Sequence, residues 1–161
     1  MMARLVHSAD FDRLRATRPW ARSEHFAVHH LPAGPSEARR SAPAAAAASG
    51  SAELSTDVDN KVTMAVDKSP DAHWLGCVLP KRLARRAVTR NLLRRQIRAA
   101  MQRHAAALPA GLWVFRLRAA FPRTVYLSAA SQALRQAVRG ERDAMLSAAA
   151  ARSAAGPARA R

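Results

Sequence analysis

The 161-residue sequence predicts an α+β fold, a small α/β sandwich of αβββαβα-like order with a central sheet and one strongly basic helix. Three observations predict it. Apolar runs of strand length recur at 23–31, 73–80 and 112–118. Segments with helical spacing precede the first of these and follow the other two. Finally, the core must be modest: hydrophobic content is 49%, but much of it is alanine and aromatic content is only 5%.

The first element is a short helix in "SADFDRLRATR". Ser8 suits an N-cap, Asp10 and Asp12 suit the first turn, and Phe11 and Leu14 share a face. Pro19 ends it. "SEHFAVHHL" (Ser23–Leu31) reads as a strand with Phe26, Val28 and His30 on one face and Ala27, His29 and Leu31 on the other. Residues 32–71 are rich in Pro, Ala, Gly and Ser and lack any aromatic, so they read as a disordered loop insertion. Within them "KVTMAV" (Lys61–Val66) alternates as a weak strand would.

"HWLGCVLP" (His73–Pro80) is a compact apolar strand. A helix of good formers follows from about Ala84 to Ala107, punctuated by Pro109 and Gly111. "LWVFRLR" (Leu112–Arg118) is the next strand. "LSAASQALRQAVR" (Leu127–Arg139) is a second long helix, with Ser128 as its expected N-cap and Leu134 and Val138 on its apolar stripe. Residues 141–161 read as a disordered basic tail. The core domain is therefore expected at 1–31 and 72–140.

Charge is the most informative property. The formal net charge is +16. Residues 1–71 carry nine basic and nine acidic side chains, whereas residues 72–140 carry fourteen basic ones and no acid. This directed footprint implies a polyanionic partner. The stretch Lys81–Arg98 holds eight of those basic residues. On a helix, Arg86, Arg90, Arg94 and Arg98 stack along one side, flanked by Asn91 and Arg95, while Val88, Leu92, Leu93, Ala99 and Ala100 lie on the other. Like charges at this spacing cost roughly 0.2–0.5 kcal/mol per pair, so an acid-free seam calls for a ligand. Arginine's planar fork suits phosphate oxygens. The seam alone does not separate DNA from RNA.

Other chemistry is weakly supported. Metal-dependent nucleases need carboxylates, and residues 72–140 have none. Asp57 and Asp59 are too few for a metal site. His25, His29 and His30 have no matching acid or cysteine in the sequence pattern. Cys77, the only cysteine, reads as a buried inert thiol and excludes an internal disulfide, which fits a reducing compartment. With no secretory signal and no spanning segment, a soluble cytoplasmic protein without membrane association is expected.

"PKRLARRAVTRNLLRRQIR" resembles the signature of the bacterial ribonuclease P protein component. That family places a K-[KR] pair after a buried strand, then A-V-x-R-N-x-x-[KR]-R-x-x-R on a helix. The matching residues are Lys81 and Arg82, Ala87 and Val88, Arg90 and Asn91, Arg94 and Arg95, and Arg98. The early "DF" helix and the late strand–helix pair also match, so the resemblance covers about 1–31 and 72–140. Two positions depart. Leu92 stands where many relatives are basic, and Arg15 stands where relatives often have a second cleft aromatic.

The resemblance implies a left-handed βαβ crossover and a protein with no catalytic or metal-binding side chains and no cofactor of its own. The implied partners are the ribonuclease P RNA, at one copy each, and precursor tRNA. The RNA would hold Mg²⁺ and cleave the 5′ leader. The protein would bind that RNA through Lys81, Arg82, Arg86, Arg90, Asn91, Arg94, Arg95 and Arg98. A cleft with Phe11, Arg15, Phe26 and His29 as candidates would take the leader. The alternative is a non-enzymatic nucleic-acid-binding protein, such as a ribosomal or DNA-associated one.

Overall fold

The structure is a computed structural model that describes residues 2–36 and 71–156. Most of the expected insertion, including Lys61–Val66, Asp57 and Asp59, lies outside the described residues. Five strands form one sheet: β1 (Met2–Arg4), β2 (Ala21–Arg22), β3 (Phe26–Leu31), β4 (His73–Val78) and β5 (Gly111–Leu117). Among the described residues three α-helices, α1 (Ser8–Ala16), α2 (Ala87–His104) and α3 (Gln132–Ala154), and a single 3-10 turn (Ala105–Ala107) complete the fold. The sheet order is β1-β4-β5-β3-β2. β5 is central, parallel to β4 and antiparallel to β3, so β4–α2–β5 is a parallel βαβ unit. The expected α+β sandwich is what the chain forms, with the short strands β1 and β2 added.

Alternation along the strands divides the core in two. Phe26, Val28, Leu75, Trp113, Phe115 and Leu117 pack with α2 and α3 in the larger cluster. Leu112 and Val114 pack with Leu5, Leu14 and the partly buried Phe11 and Trp74 in the smaller one. Both faces of β3 are therefore covered. Histidines on it must find internal partners, because an unpaired buried polar group costs about 1–3 kcal/mol. His29 Nδ1 meets the Thr17 carbonyl at 3.1 Å, and His30 Nε2 donates to the Ala110 carbonyl at 3.1 Å. Burial is the main cause that depresses the pKa of each.

Three boundaries differ from the sequence reading. α2 begins at Ala87 because the chain first turns after Pro80. The Leu83 and Ala84 amides both donate to the Pro80 carbonyl, and Nη1 of Arg90 donates to the Ala84 and Arg85 carbonyls at 2.8 and 2.7 Å. Val88, expected on the apolar side, is consequently 58% exposed in the first helical turn. Ser8 is inside α1, whose N-cap is His7, and Ser131 rather than Ser128 caps α3 by accepting from the Leu134 amide.

The largest correction concerns 141–156, part of the tail expected to be disordered over 141–161, whose residues 157–161 lie outside the described ones. α3 continues through Gly140 to Ala154, and Arg142, Met145, Leu146 and Ala149 are buried. These positions extend the Leu134–Val138 stripe at helical spacing. Polar contacts secure the extension. Trp20 Nε1 donates to the Ala149 carbonyl, Arg152 lies over the Trp20 ring, and Arg142 donates to the Gln96 carbonyl. Glu141 accepts from Ser23 Oγ at 2.7 Å and from the His25 amide at 3.1 Å, and contacts His25 Nδ1 at 2.5 Å.

Burial alone would raise the Glu141 pKa, but the hydrogen bonds from Ser23 and His25 outweigh it and leave it below 4.5. A depressed folded-state pKa contributes stability above the unfolded value that is lost as pH falls through the folded one. Glu141→Gln should therefore flatten the acid limb of a melting-temperature profile below pH about 4.5. An acid limb as steep as the parent's would show that this clasp does not couple to folding.

Candidate nucleic-acid interface

The site begins with α2. Leu92, Leu93, Ile97, Ala100 and Met101 anchor the helix to the sheet. With that face fixed, Asn91, Arg94, Arg95 and Arg98 must project outward, and all four are exposed. Leu92, one of the departures from the family signature, is 3% exposed, so its position faces the core. Among the described residues, none of these arginines pairs with a carboxylate.

What they project over is set by a short strand. β1 pairs only with His73–Leu75, closing with the Leu5 amide on the Leu75 carbonyl. Beyond Leu75 no described strand covers that edge of β4. An open groove of about 750 Å³ lies there. Asn91, Arg94, Arg95 and Arg98 form one wall, Arg4 and Phe11 contribute from β1 and α1, and Gly76 and Cys77 belong to its floor. Gly76 has a steric reason. A Cβ there would sit 2.5 Å from Phe11 Cε1 and 2.8 Å from Cζ, so any side chain would push the ring off the strand. Burial raises the Cys77 thiol to about 11 despite Arg94, Arg98 and Arg4 nearby, so it stays protonated.

The eight residues predicted to bind RNA thus divide by place. Asn91, Arg94, Arg95 and Arg98 line the groove. Arg82 and Arg86 line a second cavity at the start of α2. Lys81 is exposed on the turn after β4, and Arg90 is half-buried and bonded to the backbone of that turn. Arg4, which the sequence reading did not select, joins the groove through a three-residue strand that has no local periodic signal.

Of the expected leader contacts only Phe11 lines the groove. Phe26 is 0% exposed in the main core and His29 is 6% exposed, so neither ring is free to stack on a base. Arg15 is exposed on α1 but does not line the groove. Asp10 is also internal: it accepts from the Ser36 amide and hydroxyl and from Arg13, tying the chain after β3 to α1.

The three histidines of 25–30 do not converge, since each bonds to a different partner. Glu24, His25 and Glu141 do offer ligand atoms within 4.8 Å of one another. The Glu141 oxygens there are already occupied by Ser23 and His25. No helix among the described residues is long and apolar enough to cross a membrane.

Known proteins resemble this chain in sequence and in fold. A family model described as Ribonuclease P matches residues 2–140. The ribonuclease P protein component of Paraburkholderia xenovorans is 32% identical over 144 residues, which cover 89% of this chain and 78% of that one. The component from Burkholderia pseudomallei is 30% identical over 139 residues, covering 86% and 76%. Among solved structures, the RNase P protein of Staphylococcus aureus matches with a TM-score of 0.53 at 16% identity, over 89% of this chain and 92% of that one, a likeness of fold. The sheet with its arginine-lined open edge, the signature on α2 and the match along residues 2–140 agree: this chain belongs to the ribonuclease P protein component family.

Proposed function

We propose that this chain is the RNA-binding subunit of a ribonuclease P ribonucleoprotein, one copy per catalytic RNA, working in the cytoplasm. The observation that carries the reading is the groove. Arginines from α2 and β1, with no carboxylate partner among the described residues, face one aromatic ring across a strand edge that no described strand covers. Arginines spaced along a helix match successive phosphates, and each phosphate neutralised releases counterions. Phe11 offers a stacking surface to an unpaired base, which suits a single-stranded 5′ leader of precursor tRNA. The exposed Lys81 and Arg82, with Arg86 and the α2 arginines, meet the catalytic RNA.

The chemistry in this reading belongs to the RNA. Residues 72–140 have no carboxylate, so the basic face offers nothing to hold a divalent ion near a scissile phosphate. Mg²⁺ would sit among RNA phosphates. The chain's part is to hold the leader, screen charge between two RNAs and so lower the Mg²⁺ they need. Precursor tRNA cleavage tests this. The protein alone should cleave nothing. Added to ribonuclease P RNA at low Mg²⁺, it should restore cleavage at the mature 5′ end. An RNA whose activity is indifferent to the protein across the Mg²⁺ range would refute the proposal.

A further inference from the structure

The second cavity is not explained by the groove. It lies between the Lys81–Arg86 turn and the segment from Ala120 to Ala129, which joins β5 to α3, and has a volume of about 300 Å³. Its walls are tied together. Thr89 Oγ1 on α2 donates to the Ala129 carbonyl at 2.8 Å, and the Val125 and Tyr126 amides turn back onto the Pro122 carbonyl. Phe121 fixes the other side: its ring stacks on His25 at 4.0 Å and meets Tyr126 edge-on at 5.7 Å.

Two chemistries meet in this space. Arg82, Arg85, Arg86 and Arg123 line it, and none of them pairs with a carboxylate among the described residues. Tyr126 and Leu127 line it as well, and Leu127 is 81% exposed. Val125 in the joining segment and Val88 in the first turn of α2 are also exposed. Exposed apolar side chains beside unpaired arginines suit a ligand that is flat and apolar on one part and anionic on another. A nucleotide has that character, its base stacking on an aromatic ring and its phosphate held by a guanidinium fork. The volume is at the low end for small-ligand sites, about 300–1,000 Å³, so it admits one nucleotide and excludes a duplex.

We infer that this cavity captures one unpaired nucleotide extruded from the partner RNA, with its base against Tyr126 and Leu127 and its phosphate among Arg85, Arg86 and Arg123. This rests on the RNA-binding reading above but adds a second point of attachment with its own specificity. An acidic protein segment could also answer to the arginines. RNA is favoured because Arg86 heads the same helix that carries the groove arginines, so one bound RNA can meet both places.

The test uses the full chain assembled with ribonuclease P RNA. A photoreactive benzophenone amino acid at Tyr126 should crosslink to one unpaired RNA nucleotide, and Arg123→Glu should abolish that crosslink and weaken assembly about fivefold or more. Chemical probing should show the same nucleotide protected by the parent protein and released by Arg123→Glu, with protein melting unchanged. Crosslinks scattered along helical RNA, crosslinks only to protein, or no crosslink overturn the inference. Arg94→Ala separates the two levels. If it weakens RNA binding while Arg123→Glu does not, the cavity fails and the RNA-binding reading stands. If neither variant weakens binding, both fail.

Discussion

A chain ending at Gly140 will lose its cooperative fold at 37 °C. Residue 140 is where the family match stops, yet it falls inside α3. Truncation there removes Met145, Leu146 and Ala149 from the core cluster. Burying a Met or Leu side chain is worth about 1.5–3 kcal/mol. Removing Glu141 strands Ser23 Oγ and the buried His25, and losing the Ala149 carbonyl strands the Trp20 indole N–H. Each orphaned group costs about 1–3 kcal/mol. Even with every term at its low end the sum is about 6 kcal/mol, comparable with the whole stability of a small domain. Circular-dichroism melts of 1–140 and 1–156 decide the matter. A cooperative transition of 1–140 within a few degrees of the longer chain would contradict the packing described for α3.

The second large effect separates binding from folding. Replacing Arg94, Arg95 and Arg98 together by alanine should weaken ribonuclease P RNA binding by roughly 100-fold at moderate salt, taking about 1 kcal/mol for each charged contact. The plot of log affinity against log salt should flatten by up to about three units. The free protein should melt at the same temperature or slightly higher, because like-charge neighbours at i, i+4 are relieved by roughly 0.2–0.5 kcal/mol each. Arg90→Ala is the informative contrast. Its guanidinium holds the Ala84 and Arg85 carbonyls, so its loss should lower the melting temperature and change the salt slope least. An unchanged slope in the triple variant would mean that the groove wall does not meet phosphate.

The contrast between Arg90 and Arg94 also shows what was legible in the sequence. The repeat of arginines every four residues, opposite Leu92, Leu93 and Ile97, is enough to place a basic helix on a sheet. It cannot show that one of them bends back to the turn before the helix, because that contact depends on the path of Pro80–Arg86. For β3, alternation correctly sorted Phe26 and His29 onto opposite faces. Alternation does not show that α1 covers one face while α2 and α3 cover the other, which is what buries both rings. β1 was missed since three residues have no period and its pairing partner is some seventy residues away. The end of α3 was readable in principle. Met145, Leu146 and Ala149 continue the stripe begun at Leu134, but alanines on every side of the helix blur the contrast between its faces.

The central position of β5 has a consequence for how the protein is made. β3 and β4 do not pair with each other; β2 and β1 flank them at the two edges, and only β5 joins the two halves of the sheet. Residues 111–117 must therefore leave the ribosome before either earlier strand acquires a neighbour in the sheet's middle. Until then the nascent chain presents the arginines of α2 as a basic segment without the surface that orients them. With synthesis at about 5–20 residues per second, that interval lasts seconds. For that time the chain is a polycation on a particle made largely of RNA, and its fold and its partner compete for the same stretch of sequence.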